Sequence, residues 1–289
     1  MLKPSCVRSI LGLALAAAGV AGVVAVAARP VLRYLAFYRR PVGGTAKFLR
    51  RRRAPRTAPV VVCAGDSLTH ATVSADYVRL LRRRFPSSSG QFVNAGLNGD
   101  TTDGLRQRLD AVIRCDPDLV TLFIGTNDVR RGVPTDETAN NLRTIITRLR
   151  AETRARVAVL SIPPLGEGNN RLTPAVAAHN GRLRALAAEC GADFLPLHDE
   201  LVRLTDRLEF SARDREPADT IDYLRLTARH YLLRRSWDAI GDRSGYATLT
   251  DSVHLNDRGA GVVAAVIANW IRAVTGESTD SSANLHAHR

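Results

Sequence analysis

From residue 59 onward, short apolar runs alternate with longer amphipathic stretches, and this alternation limits the possible folds more than any other feature of the chain. The runs have the length of single strands, whereas the stretches between them place apolar residues at helical spacing. Strands that are apolar along their whole length are typical of parallel sheets covered by helices on both faces. The pattern therefore predicts a three-layer α/β/α sandwich with about five parallel strands. The predicted strands are residues 60–63, 92–93, 119–124, 157–162 and 194–197.

Helices are predicted between these strands and after the last one. They cover residues 75–85, 105–113, 138–150, 174–190 and 260–274. Residues 202–250 interrupt the alternation because they are rich in charge and only weakly periodic, so we interpret them as an insertion, either a lid or a substrate-facing subdomain. The sequence thus predicts one domain over residues 59–275 and a polar tail over residues 276–289.

A hydrophobic segment lies near the amino terminus. Twenty uncharged residues, Ser9 to Ala28, would form a helix long enough to cross the roughly 30 Å apolar core of a bilayer. Its length, and the aromatic and arginine residues that follow it, favour a retained membrane anchor within residues 1–28. A cleaved signal peptide is the main alternative, with Lys3 and Arg8 before the apolar core and a cleavage site at residues 25–27. A buried helix of the soluble domain is the third interpretation.

Net charge is concentrated in the same region. The chain has 41 basic and 28 acidic residues, but its first 58 residues hold 12 of the basic ones and none of the acidic ones. The remainder is balanced to within one charge, which argues against a nucleic-acid-binding domain. Residues 29–58 are therefore interpreted as a basic juxtamembrane linker attracted to anionic lipids. Because most of this charge follows the apolar segment, the catalytic domain is predicted to be cytoplasmic, with secretion after signal cleavage as the alternative.

Cysteine usage gives no sign of a metal site or a disulfide framework. The four cysteines, Cys6, Cys63, Cys115 and Cys190, form no C-x-x-C motif and have no zinc-ligand spacing. The sequence does not indicate an oligomeric state.

Four short motifs follow predicted strands or precede the last helix. They are Gly-Asp-Ser-Leu at 65–68, Asn-Gly-Asp-Thr at 98–101, Gly-Thr-Asn-Asp at 125–128 and Asp-Ser-Val-His at 251–254. Because the carboxyl ends of parallel strands meet at one edge of a sheet, we expect these motifs to converge there.

Together these motifs supply the groups that acyl transfer requires. A serine hydroxyl becomes a useful nucleophile when an imidazole accepts its proton, and a carboxylate fixes the imidazole tautomer. Ser67 is the candidate nucleophile, His254 the candidate base and Asp251 the candidate orienting acid. The backbone N–H groups of Ser67 and Gly99 and the side-chain amide of Asn127 are candidate donors to the oxyanion.

This set of residues resembles the SGNH hydrolases, also called GDSL esterases and lipases, over roughly residues 59–275, with the least support over 202–250. The resemblance implies a flavodoxin-like fold and the same roles for Ser67, Gly99, Asn127, Asp251 and His254. It implies no metal and no organic cofactor. The serine lacks the second glycine of a G-x-S-x-G elbow, which argues against an ordinary α/β-hydrolase.

The function expected from these motifs is hydrolysis of small-molecule or lipid carboxylic esters or thioesters through an acyl-enzyme. One alternative uses the same site for carbohydrate O-deacetylation or acyl transfer. Another is a non-catalytic, membrane-tethered binding module, which would be expected to lack Ser67, Asn127 or His254.

Other polar residues are interpreted as structural. Arg130 and Arg131 are predicted to be solvated, with contact to an anionic substrate as the alternative. Asp66 and Asp128 are expected to bind loop backbone or to cap a helix, and Asp100 is expected to cap the helix that begins near Thr101. The remaining histidines of the domain, His70, His179, His198 and His230, are expected at the surface or at caps.

Overall fold

The computed structural model describes residues 41–51, 58–86, 89–168, 171–208 and 225–276, together with Ala28. Its centre is a five-stranded sheet in which every neighbouring pair of strands is parallel. The strand order is β2-β1-β3-β4-β5. This arrangement confirms the predicted α/β class and the number of strands. The strands are β1 (Val60–Gly65), β2 (Gln91–Gly96), β3 (Leu119–Phe123), β4 (Arg156–Leu160) and β5 (Asp193–Leu195).

Helices cover both faces of the sheet. They are α1 (Thr45–Arg51), α2 (Ser67–His70), α3 (Tyr77–Arg84), α4 (Thr102–Gln107), α5 (Leu109–Ile113), α6 (Thr126–Arg131), α7 (Thr135–Glu152), α8 (Thr173–Glu189), α9 (Leu197–Arg207), α10 (Trp237–Ser244) and α11 (Asp257–Thr275).

Strand β1 shows why the apolar runs pack in this way. All six of its residues are buried, and successive side chains point to opposite faces of the sheet. Val60 and Val62 pack with the inner faces of α7 and α8, whereas Val61 and Cys63 pack with residues of α3 and α11. One continuous apolar strand therefore contributes side chains to the hydrophobic cores on both faces of the sheet.

Strand β2 is longer than the predicted segment 92–93, because a polar residue fits inside it. Asn94 is fully buried, and both ends of its amide are hydrogen-bonded. Its Nδ2 donates to the carbonyl of Thr69 over 2.7 Å, and its Oδ1 accepts from the N–H of Gly96 over 3.0 Å. The strands β4 and β5 each begin one residue earlier and end two residues earlier than predicted.

The helix predicted through residues 105–113 is divided into α4 and α5 at Arg108. This residue leaves helical geometry, with φ −104° and ψ 13°, and turns its guanidinium towards the sheet. There it donates to the carbonyls of Gly65 and Ala95 and pairs with Asp100 over 2.7 Å. Arg108 thus joins the carboxyl ends of β1 and β2.

The segment interpreted as an insertion, 202–250, is partly continuous with the rest of the fold. Helix α9 runs through position 202 to Arg207, and residues 209–224 lie outside the described residues. From 225 onward, the segment buries large side chains in the same core as β1 and α11. These side chains belong to Leu226, Trp237, Ile240, Tyr246 and Leu249.

Most of the amino-terminal prediction lies outside the described residues. Of the proposed anchor, the structure describes Ala28 alone, and the tail beyond Gly276 is likewise outside. Within the described ranges, the structure contains no helix with the length and hydropathy needed to span a bilayer. Part of the predicted linker is folded: Gly44 pairs with Asn94 beside β2, and Phe48 of α1 packs against the core.

Candidate active site

Ser67 stands where β1 ends and the short helix α2 begins. It is partly exposed, although the residues on both sides of it are buried. The turn requires glycine at position 65, because a Cβ there would lie 2.3 Å from both the carbonyl oxygen of Phe123 and the hydroxyl of Thr69. Asp66 caps α2 by accepting the N–H of Leu68 over 3.0 Å, as predicted. The serine is therefore presented by a tightly packed turn.

A chain of hydrogen bonds joins Ser67 to two residues 184 and 187 positions further along. The Nε2 atom of His254 lies 3.0 Å from Ser67 Oγ, and its Nδ1 atom lies 2.8 Å from Asp251 Oδ2. The other oxygen of Asp251 accepts the N–H groups of Val253 and His254, each over 2.7 Å. The structure thus brings together the three residues that the sequence placed in one triad.

The protonation of this chain follows from the surroundings of Asp251. Burial by itself raises the pKa of this carboxyl, but His254 and the hydrogen bonds outweigh burial and leave the pKa below its usual value. An ionised carboxylate can only accept hydrogen bonds, so the proton between the two residues lies on Nδ1 of His254. In the neutral imidazole, Nε2 is then the acceptor that faces the Ser67 hydroxyl.

Gly99 lies in the loop after β2 and Asn127 in the first turn of α6, and these two segments contact each other. Asn127 is buried and donates through Nδ2 to the carbonyl of Asp100, the residue after Gly99, over 2.8 Å. Arg130 Nη1 lies 3.4 Å from Asn127 Oδ1, which is consistent with this orientation of the amide. Since an amide nitrogen carries two hydrogens, the second remains for a ligand. Gly99 has a φ of 72°, a left-handed conformation that favours glycine.

Hydrogen bonds also tie the Gly99 loop to the serine turn and to α6. The N–H of Leu97 donates to the carbonyl of Gly65 over 3.0 Å. The guanidinium of Arg131 donates to the carbonyl of Gly99 over 2.8 Å. Both Arg130 and Arg131 are exposed, as predicted, but each also contacts a residue expected to bind the oxyanion.

Three buried aspartates support these loops. The carboxylate of Asp128 accepts both the N–H and the hydroxyl of Thr102, the latter over 2.6 Å. Burial raises the pKa of Asp66 to about 7, and its Oδ2 has no hydrogen-bond partner among the described residues. The expectation that Asp100 caps α4 is wrong: the side chain of Thr101 accepts the N–H of Gly104, whereas Asp100 pairs with Arg108.

Two histidines expected at the surface or at caps are buried. His179 of α8 packs against Gly125 at the end of β3, and burial lowers its pKa to about 4. His70 of α2 bonds through Nδ1 to Thr72 over 2.9 Å, and burial lowers its pKa also to about 4. The helical spacing of Val176, His179 and Leu183 was a sequence signal for the burial of His179.

Glu167 is a residue near the site that sequence reasoning missed. It follows β4 in a glycine-containing loop, where a glutamate is ordinarily solvated, yet its side chain is buried. Its carboxylate accepts hydrogen bonds from residues 247 and 248, which lead into the loop that carries Asp251 and His254.

The described ranges contain no group of three or more His, Cys, Asp or Glu side chains arranged to hold a metal ion.

Comparison with known proteins gives one relative in sequence and several in fold. Esterase TesA of Pseudomonas aeruginosa is 34% identical in a 115-residue alignment that covers 37% of this chain. The match spans 57% of that esterase, little more than half of its length. The acetyl xylan esterase AlAXEase has 21% identity and a TM-score of 0.58, covering 73% of this chain and 98% of its own. Axe2, an acetylxylan esterase from Geobacillus stearothermophilus, has 19% identity and a TM-score of 0.53, covering 74% and 94%.

At these identities, the solved structures show a common fold. The family model of the GDSL-like lipases and acylhydrolases matches residues 63–262, more than half of the chain, and this range includes all four motifs. The chain therefore belongs to the GDSL-like lipase/acylhydrolase family, in agreement with the resemblance carried by its motifs.

Proposed function

We propose that this protein is a serine esterase that hydrolyses carboxylic esters or thioesters through an acyl-enzyme. Ser67 is the nucleophile, His254 the general base and Asp251 the acid that orients the imidazole. The observation that carries this proposal is the continuous hydrogen-bonded chain Asp251–His254–Ser67, with heavy-atom distances of 2.8 and 3.0 Å. Such distances are within the range for proton transfer between a nucleophile and its base.

In the first half of the reaction, Ser67 Oγ attacks the carbonyl carbon of the ester while its proton passes to His254 Nε2. The imidazolium is stabilised by the ionised carboxylate of Asp251. When the tetrahedral intermediate collapses, the bond to the leaving alcohol or thiol breaks and the leaving group takes the proton from Nε2. In the second half, His254 Nε2 accepts a proton from water while the water oxygen attacks the acyl carbon. The bond between that carbon and Ser67 Oγ then breaks, Oγ takes the proton back from Nε2, and the carboxylic acid leaves.

Negative charge that develops on the carbonyl oxygen requires donors already in place. We assign these donors to the N–H of Ser67, the N–H of Gly99 and the second hydrogen of the Asn127 amide. The support for this assignment is that Asn127 is fixed by the carbonyl of Asp100, while the Gly99 loop is tied to the serine turn through Leu97 and Gly65. Donors held by such contacts need little reorganisation during the reaction.

The test is turnover of short p-nitrophenyl esters by the full-length chain. Ser67→Ala should abolish turnover, whereas Ser244→Ala, which changes a serine at the end of α10, should leave it at the wild-type level. Equal activity of wild type and Ser67→Ala would overturn the proposal. An acetylated xylooligosaccharide should be assayed in parallel, because acetyl xylan esterases share this fold.

We further propose that residues 9–28 anchor the enzyme in a membrane, with residues 29–58 near anionic lipids and the catalytic domain in the cytoplasm. The support is the length of the uncharged segment and the basic residues that follow it. Fractionation of cells should recover the full-length protein in the membrane pellet after a high-salt wash. Recovery of a shortened chain outside the cell would favour the cleaved signal instead.

A further inference from the structure

The loop after β4 contacts the segment that carries the acid and the base. We call residues 247–256 the acid–base loop. The N–H of Gly166 donates to the carbonyl of Ser252 over 2.8 Å. Next to it, one carboxylate oxygen of Glu167 accepts the N–H and the hydroxyl of Thr248, and the other accepts the N–H of Ala247. Gly166 and Glu167 therefore bind the acid–base loop at two places.

Internal bonds fold the acid–base loop back on itself. Leu249 and Leu255 form an antiparallel bridge, and the N–H of Asn256 donates to the carbonyl of Thr248 over 3.0 Å. Closer to the tip, the N–H of Thr250 donates to the carbonyl of His254 over 2.6 Å. Because of these bonds, fixing residues 247 and 248 also fixes the base of the turn that presents Asp251 and His254.

The tip of the acid–base loop is packed as well as hydrogen-bonded. Val253 belongs to a small buried apolar cluster with Ile162 and Leu165, which both follow β4 in the chain. Strand β4 is joined through β3 to β1, the strand that positions Ser67. The contacts of residues 165–167 therefore link the acid–base loop to the same sheet that places the nucleophile.

Glu167 is suited to this task by its burial and its backbone. Its exposed fraction is 7%, and its φ of 49° is uncommon for a residue other than glycine. In this conformation, the carboxylate accepts hydrogen bonds from three donors on two consecutive residues. Charge-assisted bonds of this kind are stronger than neutral ones. In Glu167→Gln, the NH₂ group of the new amide would face a backbone N–H. Two hydrogen-bond donors would then point at each other, and one of the present bonds would be lost.

We propose that Glu167 is a positioning residue that fixes the acid–base loop so that His254 Nε2 stays within hydrogen-bonding distance of Ser67 Oγ. This inference rests on the proposed esterase function, because it concerns the rate of the same proton transfer. Glu167 does not touch the reacting atoms and acts through Thr248 and the turn that follows it.

The experiment compares Glu167→Gln with Glu189→Gln in the full-length protein. Glu189 of α8 is bound by Arg143 and Arg182 on the exposed side of the helix, so it controls for loss of a paired carboxylate. Glu167→Gln should lower kcat on p-nitrophenyl butyrate about 10- to 100-fold while KM changes less than about 2-fold, because a displaced base slows the chemical step more than binding. Glu189→Gln should leave both constants at their wild-type values.

A second pair of variants separates positioning from folding. Thr248→Val removes one donor to Glu167 and should lower kcat about 3- to 10-fold, whereas Thr248→Ser keeps the hydroxyl and should restore it. If Glu167→Gln does not fold, the comparison of kcat between Thr248→Val and Thr248→Ser tests the proposal.

The outcomes distinguish the two proposals. Wild-type protein without Ser67-dependent turnover would overturn the esterase function and the positioning role with it. Ser67-dependent turnover that Glu167→Gln and Thr248→Val retain in full would overturn the positioning role alone.

Discussion

Gly125 connects the end of β3 to α6, the helix that contains Asn127, and its replacement by alanine should be costly for two separate reasons. Its φ is 121°, a conformation that L side chains rarely adopt. A Cβ at this position would also lie 2.3 Å from His179 Nε2 and 2.7 Å from His179 Cε1. Backbone strain of this kind costs about 1–3 kcal/mol. Overpacking against a buried ring costs about 1–3 kcal/mol more. Gly125→Ala should therefore lower the free energy of unfolding by about 2–6 kcal/mol.

Urea unfolding of Gly125→Ala, His179→Ala and the double variant tests this reasoning. Removing the imidazole relieves the steric part of the cost but not the backbone part, so the double variant should be more stable than the sum of the single effects predicts, by about 1–3 kcal/mol. A destabilisation of Gly125→Ala below about 1 kcal/mol would refute the conformational argument. Strict additivity in the double variant would refute the contact with His179.

Three further predictions concern the site. Asp251→Asn should lower kcat about 10³- to 10⁴-fold, because an amide no longer selects the productive tautomer of His254; a loss below about 10-fold in the p-nitrophenyl assay would contradict this. Asn127→Ala should lower kcat about 10²- to 10³-fold with little change in KM, and a change confined to KM would argue against an oxyanion role. Burial raises the pKa of Asp66 to about 7, so the folded protein retains a proton that the unfolded chain releases near pH 4. The stability that this proton provides is full below about pH 4 and is lost as the pH rises to about 7. Asp66→Asn keeps an acceptor for Leu68 and should lose less unfolding free energy than wild type over that range; parallel urea midpoints would contradict this.

The sequence was sufficient to predict the sheet and the convergence of the four motifs at one edge of it. Both depend on apolar periodicity and on the geometry of parallel strands. It was less informative where a polar residue satisfies its hydrogen bonds inside the fold. Asn94 does so within β2 and extends that strand beyond its apolar part. Arg108 does so at the carboxyl ends of β1 and β2 and divides a helix that periodicity predicts as continuous.

Contacts between distant segments explain the remaining differences. The buried carboxylate of Glu167 is hydrogen-bonded by residues 80 and 81 positions further along the chain. Because these donors are so distant, nothing in the local sequence indicates the burial of Glu167. Trp237 and Ile240 lie in a stretch whose charge suggested an insertion, yet they pack in the core with residues of α11. Helical spacing did indicate the burial of His179, but a lone histidine on such a face is ambiguous without its partner, Gly125.

The central claim is that Ser67 is the nucleophile of an acyl-enzyme. Its most direct test is to treat the full-length protein with a fluorophosphonate and to locate the adduct by peptide mass spectrometry. One adduct is expected on the peptide that contains Ser67, with no labelling of Ser67→Ala and greatly slowed labelling of His254→Ala. Labelling that persists unchanged in Ser67→Ala, or an adduct on a different serine, would contradict it.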